Sequence, residues 1–145
     1  MPVERSAGAV IFRREKGKIY YLLLHYESGH WSFPKGNIEK GEKLKETVKR
    51  EVEEETGIED IKFINGFKET IKYFYQLKGK DIFKTVVYFL AETKKRAVKL
   101  SFEHIGFKWL SYDVALDQLT FKNSKEVLKR VNDFLKNPKI QQTIF

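Results

Sequence analysis

The chain has 145 residues, a net charge of +8, a third of its residues charged and no cysteine. That length fits one domain with a real core, and the missing cysteines exclude disulfides, thiolate metal sites and cysteine nucleophiles. No apolar run approaches a membrane span and no signal-peptide pattern opens the chain, so a cytoplasmic protein that avoids membranes is expected.

Residues 7–13 (AGAVIFR) are rich in β-formers and predict a first strand. A turn around Gly17 follows. Residues 19–25 (IYYLLLH) are almost continuously apolar and predict a strand buried on both faces. Residues 29–35 read as a loop, with Pro34 forcing extended backbone before it. Leu44, Val48 and Val52 then recur every four residues, which predicts a helix with one apolar stripe. Gly57 stands where a helix C-cap belongs.

Glu51, Glu54 and Glu55 sit three and four positions apart, so the helix places them on one side. Like charges at that spacing repel, and a bound divalent cation would compensate them. Carboxylate oxygens suit hard ions such as Mg²⁺ or Mn²⁺. Residues 61–77 predict one or two strands, 78–81 a hairpin turn, and 83–92 the strongest strand of the chain. Residues 107–110 predict a short strand and Ser111 opens a short helical segment through Leu116. Asn123 or Ser124 is the expected cap of a last helix, with Val127, Leu128, Val131 and Leu135 inward and Pro138 beyond its end. A single domain over 1–137 and a loosely held tail over 138–145 are expected.

The segment Gly36-x5-Glu42-x7-Arg50-Glu51-Val52-x-Glu54-Glu55-x-Gly57-Ile58 resembles the Nudix box. At ordinary frequencies of roughly 7% each, seven fixed positions coincide by chance at about 10⁻⁸ per start point. The resemblance implies the Nudix fold: an α/β/α sandwich around a central mixed β-sheet. It implies a hydrolase of phosphoric anhydride bonds, with metal-assisted attack of water on phosphorus. Arg50 then orients a neighbouring carboxylate, since a guanidinium grips two oxygens at once. Glu42 is open between supporting the helix start and supporting the metal site. The family has no fixed general base. Glu103, an acid beside His104, is the candidate outside the box, for the base or an added metal ligand; an exposed loop acid is the plain alternative.

Stretches outside the box are similar to the asymmetric diadenosine tetraphosphate hydrolases of that family. They are residues 7–14 (AGAVIFRR), 30–36 (HWSFPKG), 66–68 (GFK), 84–92 (KTVVYFLAE), 103–104 (EH) and 107–110 (FKWL). This implies a nucleotide substrate, cleaved to ATP and AMP. Tyr73 and Phe121 would stack on an adenine, and His30, Lys35, Gly36 and Lys84 would meet the phosphate chain. Read as residues alone, Tyr73 fits a core strand better than a ligand, His30 fits a structural hydrogen bond equally well, and Tyr75 competes with Tyr73. Trp31 and Phe33 read as packing. Other Nudix substrates (nucleoside triphosphates, ADP-ribose, RNA 5′ ends) and a non-catalytic nucleotide-binding module are the alternatives. The lysines are scattered, so sequence-specific nucleic-acid binding is not expected. A monomer or a dimer fits equally.

Overall fold

Strand β1 (Val3–Glu15) is the spine of the molecule. The computed structural model describes residues 2–140. One edge of β1 runs parallel to β6 (Lys80–Glu92), from the pair Val3–Phe83 to the pair Phe12–Glu92. Its other edge is divided. Ser6 to Gly8 pair with β4 (Lys35–Asn37), and Phe12 to Glu15 pair with β2 (Lys18–Tyr26). Between the two partners the Ala9 N–H donates to the Pro34 carbonyl at 3.1 Å. The remaining strands are β3 (Trp31–Ser32), β5 (Lys62–Leu77) and β7 (His104–Leu110). The sheet order is β3-β2-β1-β6-β5, with β7 on β2 and β4 on β1.

Helix α1 (Leu44–Thr56) packs on one face of this mixed sheet, burying Val48 and Val52 against Ala7, Ala9, Ile11, Leu22 and Leu24. Helices α2 (Tyr112–Gln118) and α3 (Lys122–Lys136) cover the other, where Val127, Leu128, Val131 and Leu135 meet Val10, Phe12, Leu23 and Tyr88. Each such fully buried aliphatic side chain contributes about 1.5–3 kcal/mol. The architecture is the expected α/β/α sandwich. Strand β2 is buried on both faces, its side chains alternating between the two cores. Gly57 takes the left-handed C-cap, φ 74°, and its N–H closes α1 onto the Glu53 carbonyl.

Two expectations change, and an open one is decided. The 29–35 loop contains β3 and opens into β4. Residues 62–77 form one strand, whose register against β6 shifts between Phe63 and Lys68; Gly66 within that shift has φ 95°. The N-cap position of α3 is Phe121, in extended backbone and with no side-chain capping bond, not Asn123 or Ser124. The Ser124 hydroxyl is buried 3.3 Å from that of Ser32 and is used there instead. Helix α3 ends at Lys136, before Pro138. Of the tail at 138–145, residues 141–145 lie outside the described residues. No described helix is long and apolar enough to cross a membrane.

Candidate active site

Arg50 organises the box. Its guanidinium takes Glu42 bidentately at 2.7 and 3.0 Å and Glu51 at 2.6 Å, and reaches the Asn37 carbonyl at 3.0 Å. Glu42 also accepts the Thr47 hydroxyl and the Glu39 N–H. The Arg50 guanidinium pulls the Glu42 carboxyl down to about 2. Glu42 therefore ties the incoming loop to α1, while Arg50 orients Glu51. The N–H of Lys43 at the start of α1 goes to Glu46, not to Glu42.

The three clustered glutamates do different things. Glu51 lies against Gly36, where an added Cβ would stand 2.0 Å from its carboxyl carbon. Burial raises its pKa, and the charges of Glu55 and Glu54 push the same way against Arg50. Glu54 is exposed and meets Arg50 only at 3.4 Å. Glu55 is buried; its Oε1 accepts the Lys35 N–H at 2.9 Å. Its Oε2 stands 3.0 Å from His104 Nε2, but neither atom makes a well-directed hydrogen bond. Among the described residues no three acidic or histidine side chains converge as a finished metal cage. The donor set nevertheless fits a hard divalent cation. It offers crowded carboxylates, a buried Glu55 oxygen met only by a poorly aligned His104, and an exposed Glu54.

Beside the box lies a cavity of about 600 Å³. Among its lining residues are His30, Lys35, Tyr73, Lys84 and Phe121. Lys35 joins cavity and box, because its backbone holds Glu55 while its side chain faces the cavity. Burial, and after it the charge of Lys84, pull the Lys35 ammonium down to about 8. Tyr73 and Lys84 are direct cross-strand neighbours on β5 and β6. Tyr75 also lines the cavity, with its hydroxyl bound to Glu4. The His30 ring stacks on Tyr26 at 4.5 Å and meets Phe121 at 5.1 Å, and burial lowers its pKa. Such a mixture of flat faces and cations suits a base joined to phosphates.

A family model of the NUDIX domain matches residues 2–131. The chain belongs to the Nudix family. It is 38% identical to the asymmetrical bis(5'-nucleosyl)-tetraphosphatase of Sus scrofa, over 90% of this chain and 95% of that protein. The Caenorhabditis elegans protein of the same name is 36% identical, over 92% and 97%. A crystal structure of a C. elegans Ap4A hydrolase binary complex superposes with a TM-score of 0.80 at 34% identity, over 91% of this chain and 97% of that one. Nudix hydrolases generally use divalent metal ions, which agrees with the oxygen-rich donors of this box.

Two residues packed beside the box are not candidates in the sequence reading. His104 is buried against Glu55, and the Tyr26 edge meets it at 4.4 Å. Tyr26 donates to the Phe33 carbonyl at 2.6 Å, and its ring lies 5.7 Å from the Lys35 ammonium. The signals for His104 are its place beside Glu103 and the similarity of the 103–104 pair to the related hydrolases. Tyr26 ends an apolar strand and carried none. Glu103 itself is exposed, with its carbonyl accepting the Glu27 N–H at 3.0 Å. Its charge, with those of Glu55 and Glu51, adds to the burial that raises the Tyr26 hydroxyl. Trp31 and Phe33 pack, as expected, and Phe33 is fully buried.

Proposed function

We propose that this Nudix hydrolase cleaves diadenosine tetraphosphate to ATP and AMP with Mg²⁺ or Mn²⁺, as a cytoplasmic single-domain enzyme spanning residues 1–137. One observation carries the reading: an aromatic and cationic cavity runs through Lys35 into a carboxylate box. The 36–38% identity to proteins named for this reaction supports it. Tyr73 and Phe121 grip one adenine. Lys35, Lys84 and His30 lie along the phosphates, with the Gly36 backbone beside them. Glu51, Glu54 and Glu55, with Glu103, would hold the cation, which when bound neutralises phosphoryl oxygens and acidifies water.

Arg50 keeps Glu51 in place and draws on Glu54. Glu103 or a box glutamate takes the proton of the attacking water. A base clamped at a fixed distance from the box presents the same phosphorus each time, so cleavage is asymmetric. Hydrolysis in ¹⁸O-water, with separation of products, tests this. ATP and AMP with label in one product are expected; two ADP molecules would refute the geometry. A preference for ADP-ribose or a nucleoside triphosphate would refute the substrate.

Two substitutions separate the roles. Tyr73→Ala should raise KM roughly ten-fold, since base–aromatic stacking is worth roughly 1–3 kcal/mol. If Tyr75→Ala has that effect and Tyr73→Ala has none, the stacker lies two positions further along the same face of β5. Glu103→Gln should lower kcat far more than it changes KM, because the group acts in the transition state. A change in KM alone would move the base to a box glutamate.

A further inference from the structure

At the far end of β1 from the box, the sheet face that α1 covers continues into an open groove. Ala7, Ala9 and Ile11 lie under α1, and Arg13 is next in the same row. From Ser6, beside β4, to Arg13 is about 23 Å along the strand at about 3.3 Å per residue. The groove holds about 470 Å³ and is lined by Arg13, Glu15, Tyr20, Arg96, Phe107, Lys108 and Trp109. That volume is within the usual span of small-molecule sites.

The Arg13 guanidinium lies 5.0 Å from the Tyr20 ring centroid and 5.2 Å from that of Trp109. It is more than nine-tenths buried, and among the described residues its Nε has no hydrogen-bond partner and its one anionic partner is Glu15 at 2.9 Å. Glu15 is itself 44% exposed, and an ion pair with so exposed a partner is a weak return for burying a guanidinium. The same carboxylate feels Arg96 and Lys16 as well, so cations outnumber acids here. The Lys108 ammonium is turned away, onto Gln118 and over Trp31. The Trp109 indole N–H is fixed on the Arg96 carbonyl at 2.9 Å, which ties the Arg96 loop to the groove wall. Phe107 leaves more than a third of its surface open.

We infer that this groove is a second nucleotide site, for a 5′-mononucleotide: its phosphate on Arg13 and Arg96 in place of Glu15, its base against the exposed aromatic surface. Excess positive charge needs an anion, and bare ring surface needs a flat apolar partner; a mononucleotide supplies both within one small groove. The site is separate from the proposed reaction and does not depend on it.

The two tryptophans make the test direct. Trp31 lies between two residues that line the box-side cavity, and Trp109 is in the groove. The ¹⁵N–¹H indole resonances are followed as AMP is added. The Trp109 signal should move saturably, on a curve of its own. Adenosine and inorganic phosphate alone should each bind at least ten-fold more weakly. Arg96→Ala should weaken the Trp109 response at least ten-fold and leave hydrolysis in the box unchanged. A Trp109 signal that stays fixed while Trp31 moves would overturn the inference. Equal response to inorganic phosphate would reduce the groove to an adventitious ion only, and an unaltered response in Arg96→Ala would also overturn it.

Discussion

Glu54→Gln is expected to cut kcat by at least about 10²-fold, the scale of losing one preorganised electrostatic group, and to leave the fold as it is. The structure separates the two effects. The Glu54 side chain is exposed and touches Arg50 only at 3.4 Å, so it does little to hold α1 in place. Glutamine has the same size and keeps a hydrogen-bond acceptor, but loses the charge. A fall in kcat with unchanged thermal unfolding would assign the charge to the reaction. Near-normal rates would remove Glu54 from the metal site.

Gly36→Ala should be comparably severe, for a different reason. The Gly36 φ lies outside the left-handed region, so alanine can adopt the backbone. Its methyl would nevertheless stand 2.0 Å from the Glu51 carboxyl carbon and 2.2 Å from both its oxygens. The carboxylate must swing away, and its 2.6 Å bond to Arg50 goes with it. A misplacement of about 1 Å in such a group is enough to cost about 10²-fold. The expected result is a folded protein with kcat reduced at least about 10²-fold and weakened Mg²⁺ dependence, read by titrating the ion against rate. Wild-type kinetics in Gly36→Ala would show that Glu51 can leave its position freely.

The elements that were legible carried long, regular patterns. Leu44, Val48 and Val52 with Gly57 marked α1 at both ends, and the apolar run of β2 marked a strand between two cores. Strands β3 and β4 are two and three residues long, too short to leave a period. The sequence misplaces the start of α3 because Asn123 and Ser124 look like caps, yet Ser124 serves a buried contact with Ser32 and both residues line the cavity.

Site residues divide the same way. Spacing located the three glutamates on α1. Their separate environments were not legible, because the helical period fixes where Cβ points and not what the loop brings to meet it. Gly36 meets Glu51, the Lys35 N–H meets Glu55 Oε1, and His104 from β7 faces Oε2. Tyr26 and His104 come together only through strand pairing of β2 with β7, a contact across nearly eighty residues.

The parallel pairing of β1 with β6 sets when this protein can be completed. Val3 finds its partner in Phe83, and Phe12 in Glu92. The box, its loop and α1 are all synthesised by residue 57, yet the spine strand they rest on keeps one open edge until β6 emerges. Contacts this distant in sequence make for slow closure. On the ribosome the nascent chain therefore carries an apolar strand with one unpaired backbone edge through much of its synthesis, the kind of surface that chaperones shield.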